Sequence, residues 1–100
     1  MGTYLVLWDM DWDLIPQDLK ERAEAWKIFL DFVREDMDKG LTKEWGTFIG
    51  ETSGYAINEG TETEIMNMLQ RYIPYVHFEA HHVASLSQVE ELTKLMGGED

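Results

Sequence analysis

The segment Tyr75-Val76-His77-Phe78-Glu79-Ala80-His81-His82-Val83 sets two imidazoles, a carboxylate and a phenol at alternate positions. With a strand's period of two, Tyr75, His77, Glu79 and His81 share one face, and Val76, Phe78 and Ala80 share the other. The second set is an ordinary core face. The first is the candidate floor of a pocket, because an imidazole titrates near neutrality and a neighbouring carboxylate can tune it. Residues two apart on a strand are about 6.5–7 Å apart at the backbone, so Glu79 can approach either histidine by rotating its side chain. His77, Glu79 and His81 are therefore the candidate catalytic residues. Beside this stands a second reading, a hydrogen-bonded polar row within an interface, since buried polar groups are normally paired whether or not they react. His82 points to the opposite face and reads as a strand-end residue.

Imidazole and carboxylate are also metal ligands. His77 and His81, however, are about 13 Å apart along an extended strand, too far to share one ion easily. A site would need Asp9, Asp11, Glu59 or a second subunit, so no metal site is expected. Asp9, Asp11 and Asp13 have the spacing of a calcium loop, but the glycine and the distal glutamate of that loop are missing. No phosphate loop, Gly-x-Ser-x-Gly elbow or dinucleotide fingerprint occurs, and no cofactor is expected. Trp8, Trp12, Trp45 and the tyrosines could stack on a flat organic ligand or serve as core and interface. The expected substrate-binding set is Trp8, Phe48, Tyr55 and Tyr75.

The elements that must position these residues follow from hydrophobic spacing. Thr3 to Trp12 alternates Tyr4, Val6, Trp8, Met10 and Trp12 against Leu5, Leu7, Asp9 and Asp11, which suits a central strand covered on both sides. From Pro16 to Lys39, Leu19, Ala23, Trp26, Leu30, Val33 and Met37 recur every three or four residues and predict one long helix stopped at Gly40. Ile28 and Phe32 fall on the opposite side of that helix as a candidate subunit contact. Glu44–Gly50 and Gly54–Glu59 read as a hairpin of two strands, with Gly46 and Gly50 marking a bulge or a close approach. Thr61 with Glu64, and Ser85 with Gln88, have the form of capping boxes. The first opens a helix with Ile65, Met68, Leu69 and Tyr72, ended at Pro74; the second opens a last helix with Val89, Leu92 and Met96, ended at Gly97-Gly98.

The order strand, helix, strand, strand, helix, strand with an added helix predicts a single α+β domain over residues 1–100. Right-handed crossovers turn it into a ferredoxin-like, four-stranded antiparallel sheet with helices on one face. The other sheet face, with Trp8, Phe48 or Ile49, Tyr55 and the histidine row, is too aromatic to leave in water, which predicts a homodimer paired through it. If the first strand instead turns Leu5 and Leu7 to that face, Trp8 belongs to the helix-side core.

Composition limits the partners. A formal charge of −12 on 100 residues repels phosphate backbones and anionic lipid, arguing against nucleic-acid and membrane binding. With no cysteine there is neither a disulfide framework nor a thiolate nucleophile. Neither a signal peptide nor an apolar run long enough to span a membrane is evident, so the expectation is a cytoplasmic protein.

Tyr4-Leu5-Val6-Leu7-Trp8, Trp45-Gly46-Thr47-Phe48-Ile49-Gly50, Gly54-Tyr55-Ala56-Ile57-Asn58-Glu59-Gly60 and Phe78-Glu79-Ala80-His81 cover most of the chain's core segments. In these the chain resembles the dimeric α/β-barrel superfamily, and is most similar to a group of small, functionally uncharacterised prokaryotic proteins within it. The resemblance implies a dimeric α/β barrel but leaves function open, because the superfamily includes muconolactone-isomerase-like enzymes, cofactor-independent monooxygenases, haem-degrading enzymes and amino-acid-sensing domains. Two functions follow as expectations. One is a cofactor-independent isomerase or monooxygenase acting on a small organic ligand, with His77 or His81 as acid–base group and Glu79 orienting it. The other is a non-catalytic metabolite-binding or assembly module whose sheet interface is filled.

Overall fold

The central strand, β1 (Gly2–Met10), has a partner on each side. The computed structural model describes residues 1–98. After β1 come a 3-10 turn (Trp12–Leu14), α1 (Leu19–Asp38), β2 (Thr42–Thr47), β3 (Ser53–Gly60) and α2 (Glu62–Leu69). A second 3-10 turn (Gln70–Tyr72), β4 (Val76–Val83) and α3 (Leu86–Met96) complete the chain. The sheet order is β2-β3-β1-β4, with every neighbouring pair antiparallel, which is the expected ferredoxin-like arrangement. Among the described residues no helix is long and apolar enough to cross a membrane.

Local chemistry places the element ends. β1 stops at Met10, where Met10 N donates to Thr52 O at 2.8 Å and Asp11 N to Tyr75 O at 2.9 Å. The Asp11 carboxylate then accepts from Asp13 N and turns the chain. α1 starts at Leu19, three residues after Pro16, because the Asp18 carboxylate accepts from Glu21 N as the N-cap. It ends at Gly40, whose φ of +78° is a left-handed conformation that glycine adopts at no steric cost. Both expected capping boxes form, on Thr61/Glu64 and on Ser85/Gln88. Replacing Thr61 by alanine is expected to cost about 1 kcal/mol of stability in urea unfolding, since Glu64 N would lose its acceptor.

The sheet's helix-side face carries Tyr4, Val6 and Trp8 from β1, Gly54, Ala56 and Asn58 from β3, and Val76 and Phe78 from β4. Two core clusters form there. Tyr4, Val6, Ala56 and Ile65 make one, and Trp8, Val33, Tyr72 and Val76 the other, with Trp45 and Phe78 packed against both. Gly54 is required beneath Trp8: a Cβ there would lie 2.5 Å from Trp8 Cζ2.

The buried stripe of α1 is rotated from the one that spacing suggested. Trp26, Phe29, Val33 and Asp36 turn inward, while Leu19, Leu30 and Met37 are exposed. Phe32, expected on the far side, packs against the Trp8 cluster and stacks under Arg71, whose guanidinium carbon is 4.7 Å from the ring centroid. The rotation is possible because Asp36 is neutralised where it is buried. Asp36 Oδ1 accepts from Arg71 Nη2 at 2.7 Å and Oδ2 from the Tyr72 hydroxyl at 2.5 Å.

Candidate functional site

Period-two alternation sends Leu5, Leu7 and Asp9 of β1, Tyr55 and Ile57 of β3, and His77, Glu79 and His81 of β4 to the sheet face that carries no helix. The cross-strand register sets Leu5 between Ile57 and His81, Leu7 between Tyr55 and Glu79, and Asp9 between Ser53 and His77. A half-buried apolar centre of Leu5, Leu7, Tyr55 and Ile57 is thus bordered on its β4 side by the histidine row. Phe48 joins this face by stacking on Tyr55, with ring centroids 6.4 Å apart.

The row divides into two pairs. Glu79 turns to His81, with Oε2 2.5 Å from Nε2, and His77 turns to Asp11, with Nε2 3.7 Å from Oδ2. The His81 and Glu79 side chains are 53% and 68% exposed and that of His77 is 61% exposed, so solvent reaches all three. His82, on the other face, stacks on Tyr4 at 4.7 Å. Among the described residues no group of three or more histidine and carboxylate side chains is gathered closely enough to hold a metal ion.

Trp8 and Tyr75 do not share this face. Leu5 and Leu7 take the open side of β1, so Trp8 falls to the helix-side core, where it is 3% exposed and stacked on Trp45. Its indole Nε1–H donates to Tyr55 O at 3.4 Å, its one polar link to the strand that bears the open face. Tyr75 precedes β4 and escapes the strand's alternation. It lines a cleft at the Met10 end of the sheet, on the helix side.

That cleft is half-open and about 640 Å³ in volume, within the range of small-molecule sites. The segment after β1 supplies Trp12, Leu14 and Ile15, the middle of α1 supplies Ala25, Trp26, Phe29 and Phe32, and Tyr72, Tyr75 and Val76 close the far wall. The hairpin tip Gly50–Thr52 leans over the mouth. There Glu51 adopts a φ of +77°, a left-handed conformation disfavoured for a side chain with a Cβ. Its carboxylate accepts the Trp26 indole N–H at 3.0 Å and lies 3.9 Å from Arg22 Nε. On the inner wall, burial first, then the hydrogen bond to Asp36 and its charge, push the Tyr72 phenol well above the usual tyrosine range. Arg71 is held above its ordinary value chiefly by its hydrogen bond to Glu35. The cleft therefore offers aromatic and aliphatic walls, a neutral phenol, and a carboxylate already held by an indole and flanked by a guanidinium.

Of the expected substrate-binding set only Tyr75 lines this cleft, with Trp12 and Tyr72 among the aromatics that sequence left open as ligand stackers or core. The signal that could have revealed it is the link Trp12-Asp13-Leu14-Ile15-Pro16, which is more apolar than a solvated turn requires. No known family model and no curated protein sequence matches this chain.

Proposed function

We propose that this chain is a binding protein for a small, largely apolar organic molecule with a flat, aromatic portion, held in the cleft over α1. The observation that carries this reading is the cleft itself, about 640 Å³ between Trp12, Trp26, Phe29 and Tyr75, with polar groups confined to a few positions. Apolar walls supply affinity by area, and the aromatic rings favour stacking. The His81–Glu79 pair lies on the other face of the sheet, and the cleft's own carboxylates are engaged, Asp11 by the Asp13 N–H and Glu51 by the Trp26 indole, which favours binding without chemistry at the cleft.

The test uses 8-anilinonaphthalene-1-sulfonate as a flat apolar probe. Saturable binding of one probe per chain is expected. Ala25→Trp, which places an indole in the cleft, should weaken it about tenfold or more while leaving the far-UV spectrum unchanged. His81→Ala should leave the affinity intact. Binding that survives Ala25→Trp, or is lost with His81→Ala, would sink the cleft reading.

A second reading concerns the open sheet face, and the His81–Glu79 contact at 2.5 Å favours it. Covered by a second copy of the chain, this pair would lose solvent and become an acid–base group above the apolar floor of Leu5, Leu7, Tyr55 and Ile57, suited to isomerisation or oxygenation. A homodimer through this face is part of this second reading, since four half-buried apolar side chains with Phe48 beside them make a patch of the kind that binds another protein.

A further inference from the structure

We infer that α3 is an exchange arm that packs its apolar stripe on the open sheet face of a second copy of this chain. The inference rests on the self-association reading above and names the element that covers the face. α3 leaves Leu86, Val89, Leu92, Leu95 and Met96 between 48% and 78% exposed and, among the described residues, contributes none to the core. An isolated helix of 11 residues is marginal in water, so its stability requires tertiary packing. Its own domain does not supply that packing. The chain measures 61 × 25 × 18 Å with a radius of gyration of 16.9 Å, against about 13 Å for a compact domain of this length.

In the structure α3 leaves directly from the end of β4 and lies off its own domain. Only Ala84 separates Val83, the last residue of β4, from the helix N-cap Ser85. The capping box fixes the start: Ser85 Oγ accepts from Gln88 N at 3.2 Å and Gln88 Oε1 from Ser85 N at 2.7 Å. The apolar face of α3 is left uncovered by its own open sheet face.

A second copy supplies both missing surfaces at once. The sheet face around Leu5, Leu7, Tyr55 and Ile57 needs an apolar cover, and α3 is an apolar cover without a base. Burying a large aliphatic side chain removes roughly 60–120 Å² from water, so the five on one α3 bring roughly 300 Å² that is now exposed. With the matching surface on the partner, and both arms exchanged about a two-fold axis, the total is roughly 1,200 Å², the lower bound for a stable interface. Charge permits it: Glu90, Glu91 and Lys94 leave the arm near neutral in a chain of formal charge −12.

The test is sedimentation velocity on the full chain, with variants on each surface. A dimer is expected for the wild type, and both Val89→Asp/Leu92→Asp and Leu7→Asp should weaken it by about a hundredfold while retaining the far-UV spectrum. The absence of cysteine allows a second readout that leaves both surfaces nearly intact. Oxidising a mixture of Leu92→Cys and Leu5→Cys chains should yield a cross-linked dimer that neither variant yields alone. A dimer lost with Leu7→Asp but indifferent to the α3 changes would overturn the arm and leave the sheet-face dimer standing. Leu92→Cys chains that cross-link to each other would also overturn it, by pairing helix with helix. A wild-type monomer at tens of micromolar would remove the arm and the dimer together.

Discussion

Replacing Trp8 by alanine is expected to lower the unfolding free energy by about 3–5 kcal/mol, a large share of the 5–15 kcal/mol typical of a domain. Trp8 is 3% exposed and stacks on Trp45 with ring centroids 5.3 Å apart and planes 8° from parallel. Trp26 and Phe29 meet it at 6.4 and 5.7 Å. Its neighbour across the β1–β3 ladder is Gly54, which has no side chain to collapse into the space that an indole vacates. The cavity term should therefore stand in full beside the transfer term. Trp26 and Phe29 also line the cleft, so the variant should bind the naphthalene probe more weakly even where it remains folded. Tyr55→Ala, on the half-exposed open face, is the control and should cost about 1 kcal/mol or less in the monomer. Urea unfolding followed by circular dichroism measures both. A loss below about 1.5 kcal/mol for Trp8→Ala would mean that this cluster does not organise the core.

That prediction also marks the limit of what the sequence made legible. The order of elements, the antiparallel sheet and both capping boxes are local signals, readable from alternation, three-and-four spacing and a Thr or Ser three residues before Glu or Gln. The face taken by β1 is not local. Tyr4, Val6 and Trp8 alternate with Leu5 and Leu7, so period two predicts a strand without saying which set turns to the helices. The cue was across the sheet, where Gly54 and Ala56 on β3 leave room for an indole on one face while Tyr55 and Ile57 fill the other. The histidine row kept its face because β4 is apolar on one side only at its start, with Val76 and Phe78. Tyr75 lay one residue outside the strand, and its alternation did not apply. The cleft draws its walls from segments as far apart as Trp12 and Tyr75, and no periodicity links them. The rotation of α1 escaped for the same reason, since Asp36 is tolerated inside only through Arg71 and Tyr72, more than thirty residues on.

The Asp36 network should be the most sensitive polar feature of the fold. Asp36 is 2% exposed, and its two oxygens are satisfied by Arg71 and Tyr72, while Arg71 also donates to Glu35 and to Phe32 O. Arg71→Ala leaves a buried carboxylate with one donor and uncovers the Phe32 ring. Breaking a fully buried pair costs about 3–5 kcal/mol, and because the Arg71 side chain is 33% exposed, water can replace part of the loss, so about 2–3 kcal/mol is expected. Tyr72→Phe removes the other donor and should cost about 1.5–3 kcal/mol at pH 7. The two variants separate by pH. The folded chain holds the Tyr72 proton more tightly than the unfolded chain, whose phenol titrates near pH 10. Between the unfolded and folded values the native state binds more protons, so stability falls as pH rises, by up to about 1.4 kcal/mol per pH unit. Below about pH 9 that contribution is fully present. Tyr72→Phe carries no such proton, and its deficit relative to wild type should shrink by about 1 kcal/mol between pH 9 and pH 11, while Arg71→Ala should keep most of the slope. A Tyr72→Phe deficit that stays constant across that interval would show that the phenol proton is not coupled to folding, and that the short bond to Asp36 adds no pH dependence of its own.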